Sequence, residues 1–327
     1  MSTTIPRISL AQLPTPLQSL TRFCAKHQLP PIWVKRDDLT DSAASGNKLR
    51  KLEYNVAQAI HEGASALITC GGVQSNHCRA TAIVAAAQGL ACHLILRGDP
   101  PSQPDGNLLL DQLVGANITY LPAKGYNQAL PAAISAIQAD YAERGESAFA
   151  IPIGASDEIG LWGYIEACQE LKADFAKHDL SPSHLVSATG SGGTAGGLIL
   201  GNHMHELGTE VLSFNVCDDE AYFVNKISSD FAQWQKRYQQ DDVDIKQPIH
   251  IVEGYVGPGY GVAGPEVYET IRDLAQTEGI ILDPVYTGKA FHGLVEELKQ
   301  GRIVPKGEVV FVHTGGIFGL FPHKQHF

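Results

Sequence analysis

The chain has 327 residues, 44% hydrophobic and 18% charged, enough for two α/β lobes or one large unit and not the composition of a disordered chain. Its 24 Lys and Arg against 35 Asp and Glu leave a formal charge of −11, which disfavours a broad nucleic-acid or anionic-membrane surface while allowing one local anion pocket. The first twenty residues lack the pattern of a secretory signal and no apolar run nears about 18 residues, so the expectation is a cytoplasmic protein.

From the N-terminus, the stretch IWVKRDDLTDSAASGNKLRKLEY (32–54) leads into an amphipathic helix that starts near Lys48 and repeats Leu52, Val56 and Ile60 at helical spacing. Short β-rich runs at 65–69, 92–96, 117–121 and 148–153 then alternate with helical patterns at 76–88, 105–114 and 128–144. A second series follows: a helix at 158–176, a strand at 184–188, a helix at 194–205, and strands at 211–216, 249–253 and 308–313. Such alternation predicts parallel sheets covered by helices. The chain is expected to start in a large domain (1–53 plus 157–327), leave to build a small one (54–156), and return.

The six cysteines (Cys24, Cys70, Cys78, Cys92, Cys168, Cys217) are scattered without a CxxC pair or zinc-like His spacing, and read as reduced thiols with no metal. Cys70 and Cys78 flank a candidate ligand loop.

Lys48 follows Ser45-Gly46-Asn47 at a helix start, where the positive helix end and the neighbouring Arg50 and Lys51 favour its neutral, nucleophilic form. By position alone it reads first as an ordinary solvated lysine. TGSGGTAGGL places Gly190, Ser191, Gly192, Gly193 and Thr194 between an apolar strand and a helix, a backbone cradle for a phosphate. No lysine follows to make it a nucleoside-triphosphate loop, and its looser dinucleotide form leaves the ligand unnamed. In GGVQSNHCRA, Ser75, Asn76 and His77 stand at a helix N-terminus, either as a plain cap or as a seat for a carboxylate. Tyr260 in a glycine-flanked loop, Tyr286 and Thr287 in DPVYTGK, and Thr314 in VHTGG stand on turns that either present hydroxyls to a ligand or only pack.

In this order, GNKLRKLEY, GGVQSNH, TGSGGT, PGYGV, DPVYTGK and HTGG resemble the D-cysteine desulfhydrase and aminocyclopropane-carboxylate deaminase family, within the tryptophan-synthase-β-like pyridoxal-phosphate enzymes. The resemblance implies fold type II: an α/β protein with two open, twisted, mostly parallel sheets and pyridoxal 5'-phosphate in the cleft between lobes. It further implies that Lys48 carries the cofactor as a Schiff base, that residues 190–194 bind its phosphate, and that Asn76 bonds its phenolic oxygen. Ser75, with Asn76, His77 and neighbouring amides, would hold the substrate carboxylate, Tyr260 and Tyr286 would stand near a small amino-acid substrate, and the enzyme would be a homodimer.

Family deaminases resemble DPVYEGK, with Glu where Thr287 stands, and are apolar where Thr314 stands. The two threonines therefore imply a pyridine nitrogen that stays unprotonated, because a hydroxyl can donate without transferring its proton. The implied reaction is α,β-elimination from D-cysteine to pyruvate, sulfide and ammonia. Sulfite loss from L-cysteate, aminocyclopropane-carboxylate deamination and non-catalytic ligand binding are the alternatives. Two departures stand out: Ala44-Ser45-Gly46-Asn47 replaces a glycine-rich lead-in, and Gly154-Ala155-Ser156-Asp157, followed by Trp162, replaces a GGSN-like turn and is expected to reshape the substrate side of the cleft.

Overall fold

The computed structural model describes residues 5–240, 243 and 248–327. The first strands and helices are β1 (Leu17–Ser19), α1 (Thr21–His27), β2 (Ile32–Lys35) and α2 (Asn47–His61). Four strands with three intervening helices follow: β3 (Ala66–Gly72), α3 (Asn76–Ala87), β4 (Ala91–Arg97), α4 (Gly106–Leu113), β5 (Asn117–Leu121), α5 (Tyr126–Glu143) and β6 (Ala148–Ala150). The remainder is α6 (Trp162–His178), β7 (His184–Thr189), α7 (Gly193–Met204), β8 (Glu210–Asn215), α8 (Glu220–Tyr238), β9 (His250–Val252), α9 (Pro265–Glu278), α10 (Thr287–Lys299) and β10 (Val309–Val312).

Two sheets result. The smaller has the order β5-β4-β3-β6 and is parallel throughout. The larger has the order β1-β2-β10-β7-β8-β9, parallel except for the β1–β2 pair. The chain thus begins in the large sheet, leaves for the small one and returns. Central strands β7 and β10 are buried at every position, as strands covered on both faces must be, which explains their unbroken apolar character.

The expected elements are present with two informative shifts. The strand expected over 148–153 ends at Ala150, because Pro152 has no N–H to extend the ladder. The helix expected from 158 begins at Trp162, since the Asp157 side chain caps the preceding turn by accepting from Gly160 N at 2.7 Å. The expected 53/54 boundary falls inside α2, whose Leu49, Leu52, Val56 and Ala59 all pack into the core of the small sheet. On its other face α2 is fixed to the large sheet by buried charge: Arg50 donates to both Asp37 oxygens (2.8 and 2.7 Å) and to Glu170, and Lys35 pairs with Glu170 and Asp174. Tyr164 Oη also donates to Asp37 at 2.6 Å. One helix therefore belongs to the packing of both sheets, and its first turn faces the space between them.

Candidate active site

That first turn is placed by backbone contact. Gly46 has φ +107°, a conformation glycine adopts freely, and a Cβ there would lie 2.6 Å from Thr314 O. Asn47 N donates to the same carbonyl at 3.1 Å. The glycine turns at 46 and 315–316 can therefore touch, which brings Lys48 and Thr314 to the same cavity. The cavity has a volume of about 810 Å³ and lies at the C-terminal ends of the strands of both sheets. A wider depression of about 1040 Å³, lined by Lys172, His184, Glu210 and His250, lies at the other end of β7 and β8, where parallel sheets seldom build ligand sites.

Lys48 is half-buried and lines the cavity. Burial lowers its amine to about 8; nearby Arg79 adds to the shift and Asp283 opposes it. At pH 7 that makes about one molecule in ten neutral, against about one in three thousand for an unperturbed lysine. The charged neighbour responsible is Arg79 rather than the expected Arg50, whose charge is consumed by Asp37 and Glu170.

Two strand-to-helix turns face this amine. At the end of β3, Ser75 caps α3 by accepting from Cys78 N at 3.2 Å, and Ser75, Asn76 and His77 all line the cavity. His77 bonds Thr69 Oγ1 at 2.7 Å, while its buried Nδ1 has no partner among the described residues. Burial, with Lys48 and Lys51 nearby, holds this imidazole well below its ordinary range and so uncharged.

At the end of β7, Gly190, Ser191, Gly192 and Thr194 line the cavity, and Gly193 begins α7 just behind them. The N-cap residue Gly192 has no side chain to cap α7, and of the first amides Gly193 N is taken by Ser156 Oγ at 3.2 Å. A Cβ on Gly193 would lie 2.6 Å from Ser156 Oγ, and one on Gly190 would lie 3.0 Å from the Tyr286 ring. The turn must therefore be glycine to pack as it does.

Behind it lies an amine missed at the sequence level. Lys51, one helical turn after Lys48, is fully buried, and the hydrogen bond found for its Nζ is to Ser156 Oγ, at 3.3 Å. Burial and Lys48 push it well below its usual range. Ser156 Oγ also lies 2.8 Å from Ser191 Oγ and accepts from Gly193 N. Within the 154–157 departure, Gly154 lines the cavity and Ser156 braces the glycine turn from behind. Trp162 likewise packs in the core against Trp234 and Tyr238, away from the cleft. The i, i+3 spacing of Lys48 and Lys51 was the available signal for the second amine; nothing local announces Ser156.

Tyr260 and Tyr286 close the cavity together, their hydroxyls 2.5 Å apart. Burial raises Tyr260 to about 12 and lifts Tyr286 well above its ordinary value, so both keep their protons near neutrality. Buried Lys289 donates to Val256 O and Gly259 O, pinning the glycine loop that carries Tyr260. Thr314 lines the cavity and its hydroxyl has no bond among the described residues. Thr287 departs from expectation. It is fully buried outside the cavity lining, its hydroxyl donating to Asp283 at 2.7 Å and accepting from Asp283 N. Asp283 also accepts from the amides of Val285, Tyr286 and Thr287, so the turn is closed on itself and Thr287 is turned from the cleft.

Of the cysteines, only Cys217 is not fully buried, all six are unpaired, and burial pushes the Cys70, Cys78 and Cys217 thiols up, which keeps them protonated. Among the described residues no cluster of His, Cys, Asp or Glu could hold a metal, and no helix is long and apolar enough to cross a membrane.

A family model described as pyridoxal-phosphate dependent enzyme matches residues 8–315. The chain belongs to this pyridoxal-phosphate-dependent enzyme family. Within it, the chain is 38% identical, over 96% of its length and 79% of the relative's, to the mitochondrial bifunctional D-cysteine desulfhydrase/1-aminocyclopropane-1-carboxylate deaminase of Arabidopsis thaliana. It is 37% identical to the D-cysteine desulfhydrase of Klebsiella pneumoniae (strain 342), covering 99% of this chain and 98% of that protein. The fold matches the crystal structure of an ACC deaminase homologue with a TM-score of 0.88 and 33% identity, over 98% of this chain and 95% of that one.

Pyridoxal phosphate is thus the cofactor, and the residues present fit it. The N-terminus of α7 and the glycine turn suit its phosphate. Lys48 has an amine of lowered pKa that would suit its aldehyde. Unpartnered polar atoms on the walls, Thr189 Oγ1 and His77 Nδ1, are those a polar ligand or water would satisfy.

Proposed function

We propose that the protein is an α,β-eliminating lyase acting on a small amino acid, with D-cysteine as first substrate and pyruvate, sulfide and ammonia as products. The observation that carries this reading is the lowered Lys48 amine standing between a turn suited to a carboxylate and a turn suited to a phosphate. When bound, pyridoxal phosphate supplies an electron sink for the pair released at the substrate Cα. Lys48 Nζ would take the Cα proton, Ser75 with the first amides of α3 would hold the carboxylate, and Asn76 would bond the cofactor's phenolic oxygen. The Tyr260 and Tyr286 hydroxyls, kept protonated by burial, can give a proton to the departing sulfur. Thr314 is the hydroxyl left for the pyridine nitrogen, since Thr287 is committed to Asp283. Neither provides the carboxylate that full ring protonation needs, which favours elimination over opening of a cyclopropane ring.

The names of both cited relatives include D-cysteine desulfhydrase, which supports the same substrate. The reading carries with it a cytoplasmic homodimer and two domains, 54–156 and 1–53 with 157–327, joined through α2. A second reading, loss of sulfite from cysteate, is favoured by Arg97 on the cavity wall. A product assay over paired D and L amino acids tests the proposal. Equal amounts of pyruvate and sulfide from D-cysteine, faster than from L-cysteine and lost in Lys48→Ala, are expected. Production of 2-oxobutyrate from aminocyclopropane-carboxylate at comparable rates would overturn it.

A further inference from the structure

Arg97 ends β4 directly across the ladder from Gly72, at the mouth of the turn that carries Ser75. Gly72 has no side chain, and a Cβ there would lie 3.7 Å from the Tyr260 ring. Arg97 extends over the same ring, its guanidinium carbon 5.6 Å from the Tyr260 centroid and 6.0 Å from that of Tyr126. The side chain is exposed, lines the cavity, and makes no hydrogen bond or ion pair among the described residues. Across the cleft the wall carries one carboxylate, Asp218, which is not within ion-pair distance of it. A guanidinium steadied by two aromatic rings, with its donors unspent, is suited to a planar or tetrahedral oxyanion. It belongs to the small sheet and the glycine turn to the large one, with the bonded Tyr260–Tyr286 pair bordering both.

We propose that Arg97 is a specificity residue that receives an anionic β-substituent, so that an acid group on Cβ, sulfonate or carboxylate, is bound more tightly than its uncharged counterpart. The inference rests on the reading above for the carboxylate seat at Ser75. A sulfonate there is also a leaving group: the Cα proton passes to Lys48 Nζ, the Cα–H pair forms the Cα–Cβ double bond, and the Cβ–S bond breaks with its pair leaving on sulfite. A carboxylate on Cβ has no such exit and binds without turnover, which makes aspartate an inert probe.

The test uses the cofactor-loaded enzyme, titrated with aspartate and asparagine in both enantiomers while the visible cofactor band is followed. Wild-type protein is expected to bind one enantiomer of aspartate about tenfold or more tighter than the matching asparagine, a gap of one charge-assisted contact at a solvated site. Arg97→Met should close that gap and Arg97→Lys keep part of it. In turnover, Arg97→Met should lower the ratio of kcat/KM for cysteate to that for β-chloroalanine about tenfold. Equal binding of aspartate and asparagine by the wild type overturns the proposal. So does equal weakening of both by Arg97→Met, and if Asp218→Asn reproduces that weakening the pair is a latch between lobes. Absence of pyruvate from every substrate, with the aspartate preference intact, would sink the lyase reading alone and leave Arg97 in its role.

Discussion

The turns after β3 and β7 are built alike, each a parallel strand running into a helix whose first amides face the same cavity, yet they are finished differently. The β3 turn keeps its side chains: Ser75 caps α3, and Asn76 and His77 add polar atoms of fixed direction. The β7 turn has given its side chains up, with Gly192 at the cap position and a single side-chain bond to the α7 amides, from Gly193 N to the distant Ser156 Oγ. A side-chain cap at the N-cap position narrows the seat, which suits a small carboxylate; glycine there leaves room for phosphate oxygens. Behind the glycine turn lies the buried Lys51 amine and at the other turn His77, both pushed well below their usual ranges by burial.

Removing the group that both turns face should have the largest effect. Lys48→Ala is expected to lower elimination by about a thousandfold or more, and to let gel filtration strip the cofactor from protein that remains folded. Gly193→Ala separates the two turns. Its Cβ meets Ser156 Oγ at 2.6 Å, so cofactor affinity should fall about tenfold to a hundredfold in a fluorescence titration, while Ser156→Gly in the same chain should recover part of the loss.

The acidity of Lys48 offers a third measure. Its pKa is depressed to about 8, so the neutral amine grows as pH rises and levels off above that value. Cofactor reloading of the apo-protein, followed by stopped-flow absorbance, should therefore quicken about tenfold from pH 7 to pH 9; a rise continuing to pH 10.5 would place the amine in an ordinary environment. The smallest effect belongs to the capped turn: Ser75→Ala should cost about 1 kcal/mol in urea unfolding and raise KM for substrate, with cofactor affinity retained. Loss of cofactor affinity in that variant would mean that the two turns do not divide the ligands as described.

Much of this was legible before any coordinates, because the signals are local. The β3 and β7 turns, the helix start at Lys48 and nearly every strand follow from spacing that the backbone itself enforces, and their expected positions fall within a few residues of those observed. Where expectation failed, the failure concerned the direction of a side chain. Thr287 sits in the right turn, but its hydroxyl closes on Asp283 four residues earlier in a bond that competes with any ligand. Trp162 follows an unusual segment yet belongs to the packing of Trp234 and Tyr238, residues more than seventy positions away.

The sequence by itself determined the parallel α/β plan, the glycine cradle and the lysine at a helix start, since each is a property of a few consecutive residues and their backbone geometry. Only the tertiary structure decided which amine neighbours which charge, that Ser156 braces the glycine turn, that Thr314 and not Thr287 opens on the cavity, and that Arg97 is left unpaired beside Tyr260. Those outcomes depend on how two separately built sheets meet around α2, and no local pattern encodes the contact between segments a hundred residues apart.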